Sequence, residues 1–305
     1  MNKLISIIVP SFNEEGNIEL LIQKISEVLT SYNYEIIFID DGSFDRTLSV
    51  IESISKKDSR IKYISFSRNY GHQRALRAGL DHAAGDCVIS MDADLQHPPY
   101  LLIEMIKKWE EGFEIVYTRR IDKENVSLFK KITANIFYKL LNSLSGLNMD
   151  QGAADFRLLD RIVVDVLKNM HEYNIFIRGM VSSIGFKKFA INYIPDKRFS
   201  GKSKYSIKKM FLFALEGITS FSIKPLHIAT FIGLVIFIFS LLLIFHTLYI
   251  YFIKGIAPGY TSIFMGIFFM GGLQLLMLGI IGEYLGKLFI ESKRRPDYII
   301  RKKSF

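Results

Sequence analysis

Asp92 and Asp94, two carboxylates one residue apart, follow directly on a short apolar run, Cys87-Val88-Ile89-Ser90-Met91. The run reads as a buried strand. Pro98 and Pro99 stop its ladder from continuing, so the two acids belong at the strand's carboxyl end. In an open α/β sheet that edge is where ligands bind. Close carboxylates repel and are costly to desolvate unless a cation joins them. Hard oxygen ligands with a diphosphate as co-ligand suit Mg²⁺ or Mn²⁺. Alone, the same pair also suits a solvated acidic turn, so its neighbours decide.

The segments around it are periodic enough to place. Strands are expected over 4–9, 34–39, 61–66 and from Val88, each followed by a helix. Ile18, Leu21, Ile22, Ile25 and Leu29 repeat at helical spacing, with Asn13 or Ser11 as the expected cap and Glu14 and Glu15 in the first turn. Each strand closes on a polar cluster: Pro10-Ser11-Phe12-Asn13-Glu14-Glu15, then Asp40-Asp41-Gly42-Ser43, then Arg68-Asn69-Tyr70-Gly71-His72-Gln73. This is the βαβ pattern of a doubly wound sheet, with the clusters on one edge. No glycine-rich fingerprint follows the first strand, which disfavours a dinucleotide or a P-loop. Phosphates must then be held by a metal and by basic side chains.

The 305 residues are unevenly distributed. Residues 1–220 resemble a soluble α/β enzyme, whereas 226–290 are dominated by Ile, Leu, Phe and Gly. Net charge is +9, but no basic and aromatic surface motif accompanies it, which excludes a nucleic-acid partner. The cations flank the apolar segments, as expected beside an anionic leaflet. Cys87 is the single cysteine, so disulfides play no part and a reducing compartment fits. Residues 4–9 are too short an apolar run for a signal peptide. Residues 228–253 lack any Lys, Arg, Asp or Glu, as do 263–282, and about 20 apolar residues suffice to span a bilayer. Lys254 to Tyr260, with Pro258 and Gly259, makes the turn of a transmembrane hairpin. Lys202, Lys204, Lys208, Lys209 and Lys224 precede it and seven further cations follow it, against Lys254 alone in the loop. That asymmetry predicts both termini and the catalytic part in the cytoplasm. The expected division is 1–225 catalytic, 226–284 membrane, 285–305 a basic tail. Amphipathic helices are expected near 129–147 and 203–225, the former either core-packing or membrane-facing.

Taken in order, Val9-Pro10-Ser11-Phe12-Asn13-Glu14-Glu15, Asp40-Asp41-Gly42-Ser43 and Met91-Asp92-Ala93-Asp94-Leu95-Gln96 resemble family-2 glycosyltransferases of the GT-A fold. Arg68-Asn69 before Gly71-His72-Gln73 resembles their polyprenyl-phosphate branch, the bactoprenol glucosyltransferases and dolichol-phosphate mannose synthases. The resemblance implies a Rossmann-like, mostly parallel catalytic sheet followed by two membrane helices. It further implies that Pro10, Glu14, Asp41, Arg68 and Asp92 bind a UDP-sugar, and that Asp92, Asp94 and Gln96 hold the metal. Asp155 is implied as the acceptor-side carboxylate, as base or as positioning group; by itself it also suits a helix N-cap. Arg119 and the segment from Pro195 to Tyr205, with Arg198, Ser203 and Lys204, are implied to hold the acceptor phosphate. The catalytic set is thus Asp155, Asp94 and Arg198.

The expected reaction is an inverting transfer of a hexose, glucose by resemblance, to a polyprenyl phosphate at the inner membrane. N-acetylglucosamine, galactose, mannose or amino-arabinose donors remain open. Expected partners are the lipid phosphate, the membrane, further copies of the chain in a tetramer, and a flippase and downstream glycosyltransferase of O-antigen modification. A processive polysaccharide synthase would carry Gln-x-x-Arg-Trp, yet the single tryptophan is Trp109 in a different context. A silent nucleotide-sugar-binding scaffold is the alternative of another class.

Overall fold

The computed structural model describes residues 3–121, 142–143, 150, 152–170, 172, 175–194, 222–254 and 259–305. The elements in chain order are β1 (Leu4–Ser11), α1 (Ile18–Val28), β2 (Asn33–Asp40), α2 (Thr47–Ser55), β3 (Ile61–Phe66), α3 (His72–His82), β4 (Cys87–Ser90) and α4 (Leu101–Glu110). They continue as β5 (Ile115–Arg120), β6 (Ala153–Asp160), α5 (Arg161–Lys168), α6 (Ile177–Ser183), β7 (Lys188–Tyr193), α7 (Lys224–Lys254), α8 (Tyr260–Ser292) and β8 (Ile300–Lys303).

The strands form one sheet in the order β7-β5-β6-β4-β1-β2-β3-β8. β1 to β4 are mutually parallel, β6 runs antiparallel between β4 and β5, and β7 is parallel to β5. Alternation along β1 explains the two layers. Ile5, Ile7 and Val9 face α1, α2 and α4, while Ile8 faces α3, α5 and α6. Both faces being covered, the parallel strands are apolar almost throughout, as burial on both sides requires. The parallel arrangement also brings the ends of β1, β2, β3 and β4 to one edge, where the polar clusters gather.

Three local expectations give way. α1 begins at Ile18 with Asn17 as its cap residue, so neither Asn13 nor Ser11 caps it. Asn13 instead takes a left-handed φ of 57° and its side chain accepts the Phe44 N–H at 2.9 Å. Residues 153–160 are strand, and it is Asp160 that caps the following helix, accepting the Ile162 N–H at 2.9 Å. Asp155 is therefore no helix cap. Two further expectations, the amphipathic helices near 129–147 and 203–225, fall for the most part outside the described residues.

α7 and α8 contain segments long and apolar enough to cross a membrane, Lys224–Leu243 and Phe269–Ser292, with mean hydropathy 2.6 and 1.5 and no burial among the described residues. α8 ends with that segment at Ser292. The chain then returns to the sheet, where β8 pairs antiparallel with β3. Tyr298 stacks on Phe66 at 5.0 Å and its hydroxyl donates to Asp81 Oδ2 at 2.9 Å. Residues 300–303 thus cover an otherwise open strand edge, and their lysines keep the new edge charged.

Candidate active site

A cavity of about 630 Å³ opens over the carboxyl ends of β1, β2 and β4 and the start of β6. Pro10, Glu14, Asp41, Asp92, Asp94, Gln96 and Asp155 all line it. The lining extends to Tyr193, so the fold brings together residues spread over more than half the sequence.

At the β2 end, the two acids of the Asp40-Asp41 pair divide their work. Asp40 is buried and holds the turn, accepting Ser43 N–H at 3.1 Å and Ser65 Oγ–H at 2.8 Å. Asp41 reaches across to the next loop, accepting Tyr70 N–H at 2.6 Å and Gly71 N–H at 2.9 Å. Burial pushes the Asp41 carboxyl above the usual value against those two hydrogen bonds. Gly42, at φ 70°, lies so close to the next loop that a Cβ would meet Arg68 C at 2.5 Å, so no other residue fits. Arg68 itself is exposed, its guanidinium over the Tyr70 ring at 4.3 Å, and Asn69 lines the cavity instead.

At the end of β4, Asp94 is 8% exposed and its Oδ1 accepts the Gln96 N–H at 3.1 Å. The turn is tightened by Leu95 at φ 62°, an uncommon conformation for a side-chain-bearing residue. His97, stacked on Phe156 at 4.8 Å, accepts the Asp92 N–H on Nδ1 at 3.0 Å. Its Nε2 lies 3.7 Å from Asp92 Oδ2. Among the described residues no group of three or more His, Cys, Asp or Glu could hold a metal by itself. The protein offers two carboxylates and the Gln96 amide, all hard oxygen donors. That set fits Mg²⁺ or Mn²⁺ completed by substrate phosphates better than a closed protein cage.

The β6 side is a knot of opposite charges around Asp155. Arg157 Nη2 is 2.8 Å from Oδ1, while Arg178 Nη2 and His72 Nε2 approach Oδ2 at 3.4 and 3.7 Å. Gln73 Nε2 donates to Oδ2 at 3.4 Å. Burial alone would raise the Asp155 carboxyl, but Arg178, His72 and Arg157 outweigh it and hold it well below the carboxylate range. Burial pulls Arg157 down to about 10. His72 also faces Asp92 at 3.6 Å, and the two carboxylates overcome its desolvation to raise it to about 9.

Arg119 does not line this cavity. It pairs with Asp150 at 3.1 Å, and Arg120 takes the cavity position. β5 keeps its register with β7 from Ile115 to Arg120, so Arg119 shares a face with Tyr117, both meeting Asp150, and Arg120 lies on the other; the irregularity against β6 falls in β6, between Ala153 and Arg157. Arg198, Ser203 and Lys204 lie outside the described residues. His72, His97, Arg120, Arg178 and Tyr193 are cavity residues that spacing did not single out as site groups. His72 and Gln73 belong to the polar cluster that follows β3, whereas Arg178, a lone cation opening a short helix, gives no local signal.

Residues 6–167 match the model of glycosyl transferase family 2. The glycosyltransferase YkcC of Bacillus subtilis (strain 168), an uncharacterized protein, is 43% identical over 300 residues, covering 97% of this chain and 93% of that one. The prophage bactoprenol glucosyl transferase homolog of Escherichia coli (strain K12) is 42% identical over 305 residues, 98% of each chain. The bactoprenol glucosyl transferase of Shigella phage SfV is 41% identical over 303 residues, 97% of this chain and 98% of that one. The chain belongs to glycosyl transferase family 2. It is a glycosyltransferase built on a GT-A sheet, with two candidate membrane helices behind it.

Proposed function

We propose that the enzyme transfers glucose from UDP-glucose to a polyprenyl phosphate, with inversion and with a divalent cation. The observation that carries this reading is full-length similarity, including the two apolar helices, to proteins named bactoprenol glucosyl transferase. The cavity supports it, because nucleotide-side and acceptor-side carboxylates line one space. Mg²⁺ or Mn²⁺ held by Asp92, Asp94 and Gln96 would offset charge developing on the departing UDP.

The rest is the work of the chain's own groups. Pro10, Glu14 and Asp41 hold the nucleotide end. A phosphate monoester is largely dianionic at neutral pH, with a second pKa of about 6, so its oxygen attacks the anomeric carbon without surrendering a proton. The bond to UDP breaks as the new one forms, and UDP leaves with the electron pair. Asp155, kept ionised by its cations, then serves better as a positioning group than as a base poised near neutrality. Arg198, Ser203 and Lys204 complete the phosphate contacts from their loop.

The lipid acceptor fits a catalytic domain anchored by α7 and α8 at the cytoplasmic face, the orientation that the flanking cations favour. β8 supports the same topology, because its pairing with β3 keeps the chain after α8 on the catalytic side. Among the described residues, the glycines of α8 meet nothing that a Cβ would touch, consistent with close helix approach between copies in a homo-oligomer such as a tetramer. Delivery of lipid-linked glucose to a flippase and a downstream transferase, as in O-antigen modification, completes the reading.

The test is a panel of labelled nucleotide sugars with undecaprenyl phosphate and Mg²⁺ or Mn²⁺. Labelled lipid from UDP-glucose, lost in Asp94→Asn and on chelation, is the expected result. Absence of labelled lipid from every donor, in protein that still binds UDP, would overturn the transferase reading and favour a binding protein.

A further inference from the structure

Along the cavity edge the charges change sign. Asp41 follows β2, and Asp92 and Asp94 follow β4, so acids line the side where nucleotide and diphosphate lie. Next in the sheet comes β6, which carries Asp155. One carboxylate there faces two guanidiniums. Arg157 approaches at 2.8 Å and is 4% exposed, so it belongs to the interior. Arg178 approaches at 3.4 Å from α6, is 25% exposed and lines the cavity.

Arg178 is also held in place by a second route. Gln73 bridges the two elements: its amide nitrogen donates to Asp155 Oδ2 at 3.4 Å, and its oxygen accepts the Ile177 N–H at 3.0 Å. The residue before Arg178 is thereby tied to the same carboxylate that orients the guanidinium. A guanidinium fork meets a phosphate in a fixed, bidentate geometry that an ammonium cannot match.

We infer that Arg178 seats the phosphate of the acceptor, positioned by Asp155 and Gln73 on the far side of the Asp92–Asp94 pair from the nucleotide. This rests on the reading of the acceptor as a lipid phosphate. Arg178 would bring the dianion toward the anomeric carbon while the acidic side holds the donor, so the two phosphate-bearing substrates meet across the cavity without sharing one cation. Arg120, at the end of β5, stands on the same side of the cavity.

The experiment uses the purified full chain in detergent with undecaprenyl phosphate and labelled UDP-glucose, comparing wild type, Arg178→Gln and Arg178→Lys. For Arg178→Gln the KM for lipid phosphate should rise about tenfold or more, the loss expected of charge-assisted hydrogen bonds. The KM for UDP-glucose should stay within about twofold, since a group that contacts only one substrate affects that substrate's term. Arg178→Lys should fall between, and it carries the comparison if the Gln variant melts early by Trp109 fluorescence. An unchanged acceptor KM in both variants, or a rise confined to the donor KM, overturns the inference. Absence of lipid product from wild type overturns the underlying reading and this inference with it. Product from wild type with an unaltered acceptor KM in the variants overturns this inference alone.

Discussion

Asp155→Asn tests whether the charge knot on β6 is a positioning device. The substitution keeps the shape but removes the charge that faces Arg157 at 2.8 Å and Arg178 at 3.4 Å. Arg157 is then left 4% exposed with Ala154 O at 3.0 Å and a neutral amide as partners. Breaking a buried ion pair costs about 3–5 kcal/mol. The amide oxygen still accepts a hydrogen bond and Arg178 still reaches solvent, so about 2–3 kcal/mol is expected. For a domain of this size that lowers Tm by about 5–10 °C. Trp109 is a suitable probe: it is the single tryptophan, and its Nε1–H donates to Asp160 at 2.6 Å, at the other end of the same strand.

The pH dependence gives the sharper discrimination. Asp155 has a folded-state pKa depressed by its cations. Its stabilisation is therefore fully present above its unfolded value of about 4 and lost only as pH falls through the lower folded value. The gap in Tm between wild type and Asp155→Asn should stay constant from about pH 5 to pH 6, below the range in which His72, which Asp155 helps to raise, loses its proton, and no Asp155 limb should appear in the pH–rate profile. A gap that opens or closes within that window, or an acid limb near neutrality that vanishes with the carboxylate, would refute the positioning role and make Asp155 a base.

Two further outcomes concern the frame. Glu35 is buried beneath the sheet edge opposite the cavity, accepting Ser6 Oγ–H at 2.5 Å, Lys62 Nζ–H at 2.6 Å and Ala84 N–H at 3.1 Å. Burial raises its carboxyl, but Lys62, Ser6 and Ala84 together bring it below the usual value. Glu35→Ala should cost about 2–3 kcal/mol at pH 7, and the deficit should shrink as pH falls below about 4.5, measured by denaturation at both pH values. Tyr298→Ala removes the stack on Phe66 and the bond to Asp81 and should cost about 2 kcal/mol. Tyr298→Phe should cost about 1 kcal/mol, so the melting order wild type, Phe, Ala checks that β8 braces β3.

Local chemistry wrote much of this protein into its sequence. Alternating and continuous apolar runs specified β1 to β4, because a strand buried on both faces must be apolar along its length. Proline, glycine and acid clusters marked where those strands end, and parallel strands separated by helices bring such ends to one edge. Asp41, Asp92, Asp94 and Gln96 are therefore legible as neighbours from the sequence. The two apolar helices followed from length and composition alone.

What the sequence left open depended on distance and register. Whether Arg119 or Arg120 faces the cavity turns on which face of β5 meets the site, and that is set by its pairing with β6 and β7, which residue type does not reveal. Residues 300–303 carry charges that disguise a strand, and only the open edge of β3 gives them a partner. Asp155 meets His72 and Gln73, about eighty positions away, and Arg178 from a third element. The ionisation of Asp155 and its fitness as base or anchor come from that meeting, because a pKa is set by the charges that tertiary packing brings within a few ångströms.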